Sequence, residues 1–182
     1  MQEGDLFLFF GLFHRALFTQ DRFNWDRKSQ PRHVIWGWLQ IDEILSVDKY
    51  EVGKYKWAEY HPHFHRGSGL NNSVYFSKEH LTLDGLSDER VPGAGIFRFF
   101  SESLQLTAPS AASPSIWELP EWFFPGEGRT PLTYHTDLNR WQRARRGTCL
   151  KTAARGQDFV LDCDEYPETI EWLAGLLRSN LK

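Results

Sequence analysis

The strongest constraint on this chain is the run over residues 33–45, His-Val-Ile-Trp-Gly-Trp-Leu-Gln-Ile-Asp-Glu-Ile-Leu. Its β-branched and aromatic residues suit a pleated, packed surface, and the run is predicted as one long strand. Gly37 in its middle predicts a bulge or the close approach of another backbone. Alternation along the strand puts Trp36, Trp38 and Gln40 on one face. Such a strand needs neighbours. Leu6 to Phe10, bounded by Gly4-Asp5 and Gly11, reads as a short buried strand, and residues 74–76, 96–99, 104–107 and 159–161 read as further short strands. Asp84-Gly85 and Val91-Pro92-Gly93-Ala94-Gly95 carry turn chemistry between them. Residues 19–31 read as a polar excursion, and residues 108–131 as an irregular segment pinned by Trp117, Trp122, Phe123 and Phe124. Helical periodicity is confined to residues 167–177, where Pro167 and Glu168 suit a first turn and Ile170, Leu173, Leu176 and Leu177 form an apolar stripe. The expected class is α+β: a curved, barrel-like, mostly antiparallel sheet with long loops and a C-terminal helix.

A chain of 182 residues fits a single domain spanning 1–182 that buries a core without disulfides or metals. Hydrophobic residues make up 41% and aromatics 15%, with eight Trp and fourteen Phe, which excludes an intrinsically disordered chain. The net charge of −3 gives no overall pull on a phosphate backbone, so non-specific duplex binding is not expected. Arg140, Arg143, Arg145, Arg146, Lys151 and Arg155 form a local basic cluster that reads either as a phosphate contact or as a solvated loop. Cys149 and Cys163 lie in no CxxC or Cys/His spacing and are expected to be reduced. The start has no basic leader region, and no stretch approaches the roughly 18 apolar residues of a membrane span, so the expectation is a cytoplasmic protein without membrane contact.

The densest polar constellation is Tyr60-His61-Pro62-His63-Phe64-His65-Arg66-Gly67, followed by Gly69-Leu70-Asn71-Asn72-Ser73-Val74-Tyr75. An extended segment would align His61, His63 and His65 as metal ligands. Pro62 and Gly67 argue instead for a bent loop, and no Asp, Glu or Cys stands at a matching spacing, so no metal site is assigned. His61 and His63 are read as hydrogen-bonding or acid/base groups with pKa values near neutrality. Asn71 and Asn72 are a turn signal that also offers the donor and acceptor pair a base edge requires. Trp36 and Trp38 can stack a base while Gln40 meets its edge, although two tryptophans facing the core is the plainer reading. Phe10, Tyr75, Tyr134 and His135 add polar-aromatic lining, Asp5 a carboxylate at a strand edge, and Arg155 beside Gly156 a fork for phosphate oxygens. The chain contains no phosphate-loop, dinucleotide, nucleophile-elbow or zinc-deaminase motif, and no cofactor is assigned.

Several blocks in order carry a resemblance. They are Gly4-Asp5-Leu6-Phe7-Leu8-Phe9-Phe10-Gly11, His33-Val34-Ile35-Trp36-Gly37-Trp38-Leu39-Gln40, Tyr60-His61-Pro62-His63, Gly93-Ala94-Gly95-Ile96-Phe97, Leu106-Thr107-Ala108-Pro109, Trp117-x-Leu119-Pro120-x-Trp122-Phe123 and Arg155-Gly156-Gln157-x-Phe159-Val160-Leu161-Asp162. Together they resemble the third of the nucleotide-modification-associated domains, whose members are labelled DNA base hypermodification proteins, over essentially the whole chain. The opening strands also resemble those of PUA-like and EVE-like barrels, which is an analogy of fold. The family resemblance implies DNA or a modified nucleotide as ligand, other DNA-modification enzymes as partners, and a setting in bacteria and their phages. It transfers no catalytic role to any residue. Relatives carry an N-terminal segment before the Gly-Asp-Leu-Phe block, so this chain is expected to be a core lacking that segment. Three functions stay open: a hypermodification enzyme using His61 or His63, a non-catalytic reader of a modified base, and a structural interaction module. Whether the chain is an enzyme is left undecided.

Overall fold

The computed structural model describes residues 1–49, 53–66, 72–83, 86–126, 128–145, 147–153 and 159–181, with only the backbone of 86–90. In chain order its strands are β1 (Leu6–Phe13), β2 (Ala16–Thr19), β3 (Arg22–Trp25), β4 (Arg32–Ser46), β5 (Ser73–Ser77), β6 (His80–Leu83), β7 (Leu86–Pro92), β8 (Ala94–Ile96), β9 (Ile116–Leu119), β10 (Trp141–Ala144) and β11 (Gly147–Lys151). One helix, α1 (Glu168–Asn180), follows them. The class is α+β with mostly antiparallel strands, and no closed barrel is seen among the described residues. Instead there is a four-stranded sheet in which β4 lies between β1 and β5 and also pairs β8, a three-stranded β10-β11-β9 sheet, and the two ribbons β2-β3 and β6-β7.

The long strand is present, as β4. At Gly37, which pairs Ile96, a Cβ would lie 2.7 Å from the Gly95 carbonyl oxygen, so the glycine serves close backbone approach. The irregularity in register falls later, between Ile41 and Glu43 against β5. Several stretches differ from expectation. Of residues 96–99 only Ile96 lies in a strand, at the end of β8, and the stretch read as irregular contains β9. Residues 19–31 contain half of the β2-β3 hairpin. Residues 104–107 form a 3-10 turn at Glu102–Leu104 followed by isolated bridges from Gln105 to Val34 and from Thr107 to Trp117. Residues 159–161 are not a strand, because Val160 N–H donates to the Thr133 hydroxyl at 3.0 Å and its carbonyl accepts from Thr133 N–H, leaving no ladder to extend.

The chain divides into two compact units. The first is Met1–Leu8 with Gly37–Ile96, and the second is Phe9–Trp36 with Phe97–Lys182. β1 and β4 contribute residues to both.

The core of the first unit is Trp38, Ile41, Leu81, Val91 and Ala58, with Gln40 buried among them at 2% exposure. Gln40 is a junction. Its Nε2 donates to the Gly4 carbonyl at 3.1 Å and the Thr82 carbonyl at 2.6 Å, and its Oε1 accepts from Thr82 N–H at 2.8 Å. Its own backbone bonds Gly93 and Lys78. One side chain thus fixes the N-terminal turn and β6 onto β4, satisfying groups that burial would otherwise penalise.

In the second unit α1 buries Thr169, Leu173, Ala174, Leu176 and Leu177. Trp172 meets Trp122 and Phe123 edge-on at 6.0 and 5.5 Å between ring centres. Its core also includes Val34, Ile35, Leu104, Leu106, Trp117, Leu119, Phe123, Leu132, Trp141, Leu150 and Tyr166.

Candidate functional site

The histidine-rich segment is bent, as Pro62 dictates. Residues Pro62–His65 form a single 3-10 turn capped by His61, whose Nδ1 accepts from His63 N–H at 3.4 Å. The turn removes the alignment that an extended chain would give the three imidazoles. The rings of His61 and His63 lie 5.1 Å apart, tilted by 52°. Among the described residues no group of three His, Cys, Asp or Glu side chains could hold a metal.

Asn72 reaches this turn from the residue before β5. Its Nδ2 donates to the His63 carbonyl at 3.0 Å, and its backbone carbonyl accepts from Val47 N–H. The amide orientation is thereby set, with Oδ1 as the acceptor left over. That oxygen and His63 Nδ1 are both buried and have no hydrogen-bond partner among the described residues. A buried polar atom without a partner costs about 1–3 kcal/mol, and the His63 turn with Asn72 holds two of them. Three residues beyond Asn72, Tyr75 is 36% exposed and its ring lies 5.4 Å from that of Phe7. Asn71 falls outside the described residues, as does Arg155.

The other candidate residues are placed differently. Trp38, at 2% exposure, donates its indole N–H to the Pro92 carbonyl at 2.9 Å, and Gln40 is committed to backbone groups as described above, so both are embedded in the first unit. Asp5 caps the N-terminal turn by accepting from Gln2 N–H at 2.9 Å. In the second unit Trp36 is 39% exposed and stacks on Phe9 at 5.2 Å and 22°. Tyr134 is exposed, in the left-handed region at φ 65°. His135 is fully buried: Nε2 accepts from Ala153 N–H at 3.1 Å, so Nδ1 carries the proton it donates to the Thr133 carbonyl at 2.8 Å.

Phe10 opens onto a residue that sequence reasoning did not single out. His33 meets it edge-on at 5.6 Å, and Phe10 also packs against Trp117 at 5.0 Å and Phe159 at 5.8 Å. The Trp117 indole N–H donates to His33 Nδ1 at 2.9 Å, so a neutral His33 carries its proton on Nε2. Burial pushes the pKa of His33 below its ordinary value. The same cause lowers that of His135, helped by Arg140 and opposed by the bond to Thr133. A histidine whose folded pKa is depressed stabilises the fold above the unfolded pKa and loses that contribution as pH falls through the folded one. Urea midpoints should therefore fall as pH drops below 6.5, the ordinary histidine value. His33→Asn, which keeps an acceptor for Trp117 but cannot titrate, should flatten part of that slope. A slope unchanged by the substitution would deny His33 its share.

A cavity of about 500 Å³ in the second unit is lined by Glu121, Trp122, Phe124, Gly126, Arg129 and Arg143. Its two cations are already engaged. Arg129 donates to both Glu168 oxygens at 3.0 and 3.3 Å, while Arg143 bonds Glu121 at 3.3 Å and lies over the Phe124 ring. The described members of the basic cluster thus include residues spent on local carboxylates and carbonyls, Arg140 donating to the Lys151 carbonyl at 3.1 Å.

A family model described as nucleotide modification associated domain 3 matches residues 1–162. The chain belongs to that family. The match includes the His61–His63 turn, Asn72, Tyr75 and the His33 cluster, whereas α1 lies beyond it. Membership associates the protein with nucleotide modification. No curated protein and no solved structure matches the chain. No helix among the described residues is long and apolar enough to cross a membrane.

Proposed function

We propose that the protein serves a DNA base hypermodification system by binding a modified base or nucleotide, and that the His61–His63 turn with Asn72 is the part that reads it. The observation that carries this reading is the pair of buried, unpartnered atoms His63 Nδ1 and Asn72 Oδ1. Asn72 Oδ1 demands an N–H donor, and His63 Nδ1 complements a donor or an acceptor according to tautomer. An amide acceptor beside an imidazole nitrogen matches the Watson–Crick edge of a base that presents an amino or imino N–H next to a ring nitrogen or carbonyl. Tyr75 supplies a half-open ring in the same unit on which a base can stack. The polar and aromatic character of these groups favours recognition, and β1 and β4, in the sheet that carries Tyr75, are the strand pair whose sequence resembles one wall of PUA- and EVE-like barrels.

The test is a titration of the protein with nucleosides and short oligonucleotides, unmodified or carrying 5-substituted pyrimidines, with nucleoside mass spectrometry on the same mixtures. His63→Ala and Asn72→Ala should each weaken modified-base binding about 10-fold, the equivalent of one buried hydrogen bond. Binding without any new nucleoside mass makes the protein a reader. A new mass that requires His61 or His63 makes it an enzyme, and binding indifferent to both substitutions refutes this site.

A further inference from the structure

The hairpin β2-β3 exposes more aromatic surface than its size explains. Pairing of Ala16 with Trp25 and Phe18 with Phe23 puts these four side chains on one face of the ribbon. Phe18 is 62% exposed, Phe23 75% and Trp25 69%, and the two phenyl rings touch at 5.1 Å. A two-stranded ribbon is marginal by itself, and this one is held at its base by other means. Asp26 N–H donates to the Arg15 carbonyl at 2.8 Å, His14 Nε2 bonds the Ser29 carbonyl at 2.8 Å, and the His14 ring lies edge-on to Trp25 at 5.6 Å. The tip turns tightly through Gln20 and Asp21, at φ 54° and 56°. The fold therefore presents three adjacent rings to solvent on a shaped scaffold, which marks an interaction surface.

Charge identifies the occupant. Arg15 pairs with Asp26 at 3.8 Å, whereas Arg22, Arg27 and Lys28 are exposed and have no ion-pair partner among the described residues. Asp21 is the one other acid between Arg15 and Lys28, so the ribbon carries a cationic surplus on a chain whose net charge is −3. A second copy of the ribbon, docked by two-fold symmetry, would bring like charges together. A polyanion with flat apolar faces suits both features, its phosphates meeting the cations and its bases the rings.

We propose that the β2-β3 hairpin is a platform for single-stranded nucleic acid, with Phe18, Phe23 and Trp25 as stacking surfaces and Arg27 and Lys28, just beyond β3, as phosphate contacts. The choice of ligand rests on the base-recognition reading above. The platform is a separate site from the His63–Asn72 turn, and it grips the strand whether or not the strand carries a modified base.

The test uses the full chain and fluorescence anisotropy of labelled oligothymidylate, single-stranded and as a duplex with oligoadenylate, over a range of salt. Phe23→Ala and Trp25→Ala remove exposed rings, and circular dichroism establishes that each variant folds. Each should weaken single-strand binding roughly 5- to 150-fold. R27A/K28A, outside the strands, should reduce the slope of log affinity against log salt by about 0.7 for each lost contact. Nucleoside binding through the His63 site should be unchanged in all three. Single-strand binding indifferent to the ring and charge variants overturns the platform while leaving the base-reading site intact. So does a dimer that Phe23→Ala or Trp25→Ala disperses in a protein that does not bind the strand. Loss of nucleoside binding only in His63→Ala, with the platform still working, separates the two sites.

Discussion

Gln40→Leu should lower the stability of the protein by about 3 kcal/mol, read as a fall in urea midpoint at pH 7, because it strands polar groups rather than removing bulk. Leucine fills much of the same space, so no large cavity opens. What it cannot do is donate to the Gly4 and Thr82 carbonyls or accept from Thr82 N–H, the three bonds that Gln40 makes from a side chain 2% exposed. Gly4 and Thr82 lie in exposed positions where water can partly replace the lost bonds, which keeps the expected cost below the sum of three fully buried losses. Gln40→Glu sharpens the test. The carboxylate still accepts from Thr82 N–H but points its other oxygen at two carbonyls, and burial raises its folded pKa above the unfolded value. The folded state then binds a proton that the unfolded state releases, so the variant should be less stable at pH 8 than at pH 5 relative to wild type. A pH-independent deficit in Gln40→Glu would show that the side chain at this position is not held buried against the two carbonyls.

Gln40 also shows how far the sequence was legible. Its place on β4 beside Trp38 followed from alternation, but the amide's partners come from Gly4 and Thr82, far apart in the chain, and no local pattern announces them. The helix was read nearly whole because its apolar stripe is a local periodicity. The β2-β3 hairpin was not, because its turn places Gln20 and Asp21 at positive φ without the glycine or asparagine that usually signals such a turn. β9 was hidden in a stretch rich in Pro and Ser, although Ile116, Trp117, Glu118 and Leu119 do alternate in burial. At the candidate site, the bend of the His61–His65 segment was legible from Pro62. The unpartnered atoms were not, since they depend on Asn72 turning its Nδ2 to the His63 carbonyl. His33 lacked any motif of its own. Its signal is the Trp117 indole, which approaches it only in the folded chain.

The other large effect is expected at Trp38, and it couples to a glycine on the neighbouring strand. Trp38→Ala should cost about 3–5 kcal/mol, the range for deleting a buried aromatic side chain, and it also removes the indole donor that satisfies the Pro92 carbonyl. The indole is wedged against β8. A Cβ on Gly95, which pairs Trp38, would lie 2.4 Å from its Cη2 and 2.5 Å from its Cζ2. Gly95→Ala alone should therefore destabilise by about 1–3 kcal/mol through overpacking, since a buried indole pinned by its hydrogen bond cannot slide away cheaply. In Trp38→Phe the atoms that would clash are gone. Gly95→Ala should then cost much less in that background than in wild type, so the double mutant is more stable than the sum of the two single losses predicts. The measurement is a double-mutant cycle from urea unfolding, with a coupling energy of about 1 kcal/mol or more expected for residues in contact. Additivity within a few tenths would mean that Gly95 does not serve to leave room for the indole, and the packing account of this strand pair would fall.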